Sequence, residues 1–310
     1  MPQYLGIDTS NYTTSAAVYD QSRDKVFSRR RLLPVSAGDK GLRQSDALFA
    51  HIKQLPEVIG ELFAVEEFSI AAVCASAFPR RMEDSYMPVF LCGDSMARSV
   101  AQVLNVPKYS CSHQEGHIVS ALHAAKSMRL LGGEFYAFHV SGGTTECLFI
   151  RPEGKLFSVS LLAKSLDLNA GQLIDRVGVM LGLPFPCGAG LDELSLSCGE
   201  TIKVSPSFSG LDCHFSGVQN QCERLLREGK PSAYVARYCI EYVRAAVDGI
   251  TRRIIEQYGE KPVLYAGGVM SNRIIQDSLE RKYGGIFAPP AFSSDNASGA
   301  AIIASLLNQR

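Results

Sequence analysis

Residues 4–9, 15–19 and 25–33, set off from one another by polar turn residues, read as three strands, the opening meander of a sheet. The pattern then changes. Apolar positions three and four apart over residues 45–63 predict an amphipathic helix, followed by a buried strand at 70–77, a helix after Gly93 and a short strand near Tyr109. At Phe135 the succession starts again, with strands at 135–140, 147–150 and 156–162 and the turn Ser141-Gly142-Gly143 between the first two. Helices are predicted over 169–181, 234–258 and 272–283, a buried strand at 263–265 and a last helix over 295–307. Residues 184–206 and 227–232, punctuated by proline and glycine, read as surface connections.

A meander followed by alternating helices and strands, twice over, predicts an α/β protein of two similar lobes. Residues 1–130 form the N-terminal lobe with a histidine-bearing helix, and residues 131–310 form the C-terminal lobe with the glycine turns, the boundary falling near 129–133. This is the plan of the actin-like ATPase (ASKHA) fold, two ribonuclease-H-like domains facing an interdomain cleft. The halves share no evident sequence identity, so the repeat is one of structure.

Composition narrows the picture further. With 310 residues, 46% of them hydrophobic, the chain can bury substantial cores. Lys plus Arg and Asp plus Glu each total 31, which excludes a global positive field, so any nucleic acid must be held by a local patch. No apolar run approaches the roughly 20 residues of a membrane span, and Asp8 interrupts the first apolar stretch, so neither a membrane partner nor a secretory leader is expected. Nine cysteines without a Cys-x-x-Cys spacing argue against a disulfide framework or a zinc ribbon and point to a reducing cytoplasm.

The candidate chemistry lies in three places. His113-Gln114-Glu115-Gly116-His117 sets two imidazoles four positions apart, about 40° around a helix, where both can grip one metal ion. The same spacing also suits two histidines that merely pack, and a third ligand must come from elsewhere. Glu115 stands about 200° around the helix from His113, unlike the glutamate of His-Glu-x-x-His, so peptidase activity is not expected. His139-Val140-Ser141-Gly142-Gly143 ends a strand with adjacent glycines, whose amides can approach a phosphate, although ordinary hairpins share the pattern. Ala266-Gly267-Gly268-Val269-Met270-Ser271-Asn272 leads from a strand into a helix, where free N–H groups favour an anion, and Asp295 precedes the last helix as a cap or a ligand.

Taken in order from Leu5 to about Leu307, these features resemble the catalytic subunit family of tRNA threonylcarbamoyladenosine synthase, formerly described as O-sialoglycoprotein endopeptidases. Leu5-Gly6-Ile7-Asp8-Thr9-Ser10 is similar to the family's Leu-Gly-Ile-Glu-Thr-Ser, His113-x-Glu-Gly-His117 to its metal-binding helix, and Val140-Ser141-Gly142-Gly143 to its glycine turn. Ala170-Gly171-Gln172-Leu173-Ile174-Asp175-Arg176 resembles Ala-Gly-Glu-Ala-Phe-Asp-Lys, and Leu181-Gly182-Leu183-Pro184-Phe185-Pro186-Cys187-Gly188 resembles Leu-Gly-Leu-x-Tyr-Pro-Gly-Gly. Gly210-Leu211-Asp212 with Phe215-Ser216-Gly217, then Gly267-Gly268-Val269 with Asn272, and Asp295-Asn296 complete the series.

The resemblance implies a divalent ion, iron or zinc, at His113, His117 and Asp295, with His139 as a further donor as in some relatives. It implies contacts to an adenine nucleotide or acyl-adenylate at His139, Val140, Ser141, Gly142, Gly143, Asp175, Gly188 and Asn272. The implied reaction moves a threonylcarbamoyl group from its adenylate to the adenosine adjacent to the anticodon of tRNA, alongside accessory proteins.

Certain positions depart from the pattern. Asn11-Tyr12-Thr13-Thr14 stands where the family has Cys-Asp-Glu-Thr, so two carboxylates linked to transfer are absent and Asp8 is the remaining acidic candidate. Arg80 and Arg81 fall in a bulkier segment that replaces a Gly-Pro-Gly-rich one, where they can grip a phosphate or a carboxylate or form a solvated pair. Gln219 replaces a lysine. These departures leave three readings: the tRNA transferase, a carbamoyl-type transferase with another acceptor, and a non-catalytic paralogue that binds nucleotide and metal.

Overall fold

In the computed structural model, which describes residues 2–10, 12–34, 42–82, 85–289 and 296–309, the opening alternation becomes an antiparallel meander of β1 (Gln3–Ser10), β2 (Thr13–Asp20) and β3 (Lys25–Leu32). Helix α1 (Gln44–Phe63) leads to β4 (Ile70–Phe78), which lies parallel to β1, and α2 (Phe90–Leu104) leads to β5 (Lys108–Ser112), parallel to β4. Helix α3 (His113–Ala124) starts where β5 stops. The strand order is β3-β2-β1-β4-β5.

β1 is buried along its whole length because both of its faces are covered. Leu5 and Ile7 pack with Leu55, Val58 and Leu62 of α1 and Ala97 and Ala101 of α2. Helix α2 begins before Gly93, the expected start. Gly93 lies inside the helix because a Cβ there would stand 2.9 Å from Thr9 Oγ1, so the glycine allows the helix to lie close on β1.

The second meander is β6 (Phe135–Val140), β7 (Thr145–Glu153) and β8 (Leu156–Lys164), followed by α4 (Ala170–Met180) and α5 (Gly188–Leu196). A small hairpin, β9 (Ser207–Ser209) and β10 (Asp212–His214), precedes α6 (Ser216–Arg227) and the long α7 (Ser232–Tyr258). The sheet is then completed by β11 (Val263–Ala266), parallel to β6, and after α8 (Arg273–Tyr283) by β12 (Ile286–Phe287), parallel to β11. Its order, β8-β7-β6-β11-β12, is that of the first sheet position for position. All nine cysteines are free thiols.

Three elements differ from the sequence expectation. Helix α5 lies inside 184–206, a stretch read as connection; two glycines in its first turn hide its helical pattern, and buried Leu191 and Ser195 fix it by packing. Helix α6 escapes notice because only Val218 and Cys222 of its twelve residues are buried, too sparse an apolar stripe to read. The last helix, α9 (Asn296–Asn308), was grouped with residues 131–310, yet the chain divides into Met1–Met128, Glu153–Leu156 and Ala291–Arg310 on one side and Arg129–Pro152 with Phe157–Pro290 on the other. Its backbone lies directly on that of β1: a Cβ on Gly6 would stand 2.1 Å from Ala297 O and 2.4 Å from Ala301 N.

Helix α9 touches α3 just as closely, since a Cβ on Gly299 would fall 1.9 Å from Gly116 O. Neither obstacle is a side chain that can turn aside. Gly6→Ala and Gly299→Ala are each expected to destabilise the protein by at least ~1–3 kcal/mol, while Gly60→Ala, which meets nothing within 4 Å in α1, is expected to be neutral or stabilising. Urea midpoints of the three variants check this.

Candidate functional site

The residues between the two histidines of α3 serve the helix itself. Ser112 caps it by accepting from Glu115 N at 3.1 Å, and Glu115 returns the bond by accepting from Ser112 N at 2.6 Å. The same buried carboxylate takes the Arg81 guanidinium through Nε at 2.9 Å and Nη2 at 3.2 Å. Arg81 therefore grips a carboxylate of its own chain, and Glu115 is committed to the cap and that ion pair. Gly116 supplies the close crossing with α9.

His113 and His117 project from one face of α3 with their Nε2 atoms 3.2 Å apart. Two nitrogens sharing an ion at about 2.1 Å stand about 3.0–3.4 Å apart, so the spacing fits a metal. Asp8 Oδ2 lies 2.9 Å from His113 Nδ1, and its Oδ1 accepts from Ser10 N at 3.0 Å. Burial raises the pKa of this fully buried carboxyl, but the neighbouring His113 and hydrogen bonds from Ser10 and Ser76 outweigh it and hold the group below its ordinary value. An ionised carboxylate can only accept, so Nδ1 of His113 donates to Asp8 and its Nε2 is turned towards His117. This is the carboxylate–imidazole arrangement that orients metal-binding histidines. Among the described residues no cluster of three or more His, Cys, Asp or Glu gathers around an ion site. Asp295 lies outside the described residues, as do Asn11, Glu83 and Asp84. At the two positions where the family has carboxylates, Tyr12 stands in the turn before β2 and Thr13 opens the strand, and the Tyr12 carbonyl accepts from Leu33 N at 2.8 Å.

In the second unit, a cavity of about 400 Å³ gathers Ser141 and Gly142 from the turn after β6, Asp175 from α4, Gly188 from α5 and Asn272 before α8. Five of the expected nucleotide contacts thus come together from four parts of the chain. Val140, Gly143 and His139 do not line it: Val140 is buried in the core, Gly143 continues the turn, and His139 sits on β6 between Glu146 of β7 and Ala266 of β11.

Close backbone contacts shape this cavity. Ser141 O accepts from Gly171 N at 3.1 Å, and a Cβ on Gly171 would stand 2.6 Å from Gly142 N, so the first turn of α4 lies directly on the glycine turn. Gly267, at φ 101°, lets the start of the next turn touch Val140 O, where a Cβ would fall at 2.2 Å. Gly142, Gly188 and Gly268 face open space, leaving their backbones accessible.

Polar groups finish the pocket. Helix α5 has no side-chain cap at its N-terminus, and its first residues Gly188 and Ala189 line the cavity, which suits an anion. Asp175 Oδ1 accepts from Cys187 N at 2.9 Å and ties the start of α5 to α4. The Cys187 side chain, where the family pattern has glycine, is buried against Gly178 and stays out of the cavity. Asn272 caps α8 by accepting from Ile275 N at 3.2 Å and donates through Nδ2 to Asp192 Oδ1 at 2.8 Å. Burial pushes the pKa of Asp192 up, opposed by the Arg273 amide and charge. Sequence reasoning missed Asp192; its place one helical turn after Gly188 would have revealed it had α5 been read as a helix.

Paired sheets of identical strand order, with a glycine-rich turn after the first strand of the second, define an actin-like ATPase fold. Solved structures bear this out: component A of (R)-2-hydroxyglutaryl-CoA dehydratase from Acidaminococcus fermentans matches with a TM-score of 0.57 at 15% identity over 98% of both chains. HypF from T. kodakarensis matches with 0.62 at 13% identity over 99% of this chain and 47% of its own. A ROK family glucokinase from Streptomyces griseus, in complex with glucose and AMPPNP, matches with 0.51 at 12% identity over 98% of this chain and 99% of its own. Residues 45–302 match the family model of TsaD, tRNA N6-adenosine threonylcarbamoyltransferase, and the chain belongs to that family.

Two measurements probe the site. Asp8→Asn removes the charge that orients His113 and is expected to weaken Zn²⁺ or Co²⁺ binding about 10–100-fold in competition titrations. Gly142→Val, in open space, is expected to leave the melting temperature unchanged while lowering ADP affinity at least ~10-fold by calorimetry.

Proposed function

We propose that the protein transfers a threonylcarbamoyl group from its adenylate to the adenosine adjacent to the anticodon of tRNA. The observation that carries this reading is the cavity of the second unit, which gathers Ser141, Gly142, Asp175, Gly188 and Asn272 in a chain of the TsaD family. The backbone amides of Gly142, Gly188 and Ala189 are assigned to the adenylate phosphate, and Asp175 and Asn272 hold the elements that carry them. Among structures of the same fold, the glucokinase holds AMPPNP and the activator of 2-hydroxyisocaproyl-CoA dehydratase from Clostridium difficile holds ADPNP, which agrees with a nucleotide there.

His113 and His117, with Asp295, are assigned to one divalent ion, iron or zinc, which when bound supplies Lewis-acid stabilisation of oxygen charge. In the reaction the exocyclic amine of adenosine forms a bond to the carbamoyl carbon, the carbon–oxygen bond to the phosphate breaks, AMP leaves and the amine loses a proton. Positioning and charge stabilisation carry much of the rate. Asp8, with both oxygens engaged, orients His113 in this scheme.

The balanced total charge assigns tRNA to a local basic surface, and the reading includes accessory proteins and a cytoplasmic setting. No helix among the described residues is long and apolar enough to cross a membrane. A second reading, carbamoyl-type transfer to a different acceptor, draws on Tyr12 and Thr13, which stand in place of two carboxylates. Incubation with threonylcarbamoyl-adenylate and unmodified tRNA, followed by mass spectrometry of the nucleosides, is expected to give the modified adenosine, and His113→Ala is expected to reduce it to background. Metal and adenylate bound without modified tRNA would favour the second reading.

A further inference from the structure

Three side chains of the second unit meet at the β9–β10 hairpin in the order hydroxyl, imidazole, carboxylate. Ser209 Oγ lies 2.9 Å from His214 Nε2, and His214 Nδ1 lies 3.6 Å from Asp167 Oδ2. None of the three lines the nucleotide cavity. The hairpin itself makes the first contact. Gly210, at φ 66°, is the first of two turn residues, since Ser209 stands opposite Asp212 in the register. Side chains alternate along a strand, so Ser209 and His214 share a face as diagonal neighbours, a separation that an imidazole spans. The opposite face is clamped to α7. Phe208 packs on Gly249, where a Cβ would stand 2.5 Å from its Cζ, the Arg253 guanidinium lies 3.7 Å from its ring centre, and Cys213 is fully buried. Tyr242 Oη accepts from Ser207 N at 2.9 Å, so the strand is fixed while the Ser209 side chain stays exposed.

Asp167, in the connection before α4, is held as firmly. Its Oδ1 accepts from Leu168 N at 2.6 Å and Phe215 N at 2.8 Å, and its Oδ2 from Ser216 N at 3.1 Å and Ser216 Oγ at 2.6 Å. Burial raises the pKa of this carboxyl, but the Phe215 amide and the other donors outweigh it and hold the group below its ordinary value. An ionised carboxylate only accepts, so a neutral His214 ring turns its Nδ1–H to Asp167 and leaves Nε2 to accept from Ser209. At 3.6 Å the pair of Asp167 and His214 is a charge contact, longer than a hydrogen bond, as such contacts often are before substrate tightens them. A nucleophile bonded to a base, with that base oriented by a third group, is an arrangement for acyl transfer. A cavity of about 390 Å³ opens at the same turn, lined by Gly210 and Leu211 next to the hydroxyl and by Arg253, Glu256 and Gln257 of α7. Its two charges are of opposite sign, which suits a short neutral acyl group over an anion or a long chain.

We propose that Ser209 and His214, positioned by Asp167, form a second active site that hydrolyses short-chain carboxylic esters. Ser209 Oγ bonds to the carbonyl carbon as His214 Nε2 takes its proton; the carbon–oxygen bond to the alcohol breaks, and the alcohol leaves with that proton. Water, giving its proton to the same nitrogen, then attacks the acyl-serine, the bond from the carbonyl carbon to Ser209 Oγ breaks, and the acid leaves as the serine regains a proton. The activity needs neither metal nor nucleotide and stands apart from the transfer proposed above.

The full chain, without added metal or nucleotide, is incubated with p-nitrophenyl acetate, and separately with a fluorophosphonate followed by peptide mass mapping. The expected results are release of p-nitrophenol above the buffer rate and a label on Ser209. Ser209→Ala, at an exposed side chain, is expected to abolish the label and to lower kcat/KM at least ~100-fold without moving the melting temperature, and His214→Gln to lower kcat/KM as much. Asp167→Asn is expected to slow labelling at least ~10-fold while its final extent and KM stay unchanged, a split that a loss of folded protein does not give. A label absent from Ser209, hydrolysis that survives Ser209→Ala, or acetyl carried by His214 or a lysine in place of Ser209 overturns the proposal. The site of labelling in the unaltered chain decides even should a variant fail to fold.

Discussion

Helix α9 can lie where it does only because two positions on its neighbours' side and its own lack a Cβ. At Gly6 the strand backbone meets Ala297 and Ala301, and at Gly299 the helix meets the backbone of Gly116. Backbone cannot rotate away as a side chain can, so these contacts fix the helix against β1 and α3 with little tolerance. The consequence is felt at the histidines. Gly6 and Asp8 are two apart on β1 and share a face, so the strand that receives α9 through its glycine also presents the carboxylate that meets His113 of α3. One packing arrangement thus sets the strand, the helix and the orientation of the imidazole.

The second unit solves a similar problem with its turns. Gly171 brings α4 onto the Ser141–Gly142 turn, and Gly267 brings the chain after β11 onto Val140. Both contacts draw backbone together at the ends of the adjacent parallel strands β6 and β11, while the outward glycines stay unobstructed. A pocket walled by main chain presents N–H groups at fixed positions, which favours a ligand with phosphate oxygens over one recognised by shape alone.

Much of this was legible in the chain itself. Short strand-like segments bounded by turn residues locate both meanders. The order of the strands across each sheet was implied by the duplicated plan and not by any local signal. What stayed hidden has a physical reason in each case: α5 begins with residues of poor helix propensity, and α6 buries only two side chains. The membership of α9 depends on small residues meeting backbone, a long-range complementarity that composition does not express. At the site, residue types announced the histidine pair and the glycine turn, whereas Asp192 became visible only with the helix that carries it. The commitment of Arg81 to Glu115 was likewise open in sequence, because two adjacent arginines do not name their partner.

The bond between Asp8 and His113 also bears on how loss of function at this site is to be read. Asp8 is fully buried and its carboxyl is held in the ionised form by partners that include His113. Removing His113 leaves that charge short of a partner in the interior, and breaking a buried pair from one side commonly costs about 3–5 kcal/mol. A His113→Ala protein can therefore lose activity because β1 is strained as well as through loss of the ion proposed at the histidines. Pairing it with Asp8→Asn separates the two: a neutral amide needs no counter-charge, so the double variant is expected to regain stability over His113→Ala, seen as a higher urea midpoint, while metal binding stays absent. If stability does not return, the coupling between strand and helix runs through packing and not through this charge.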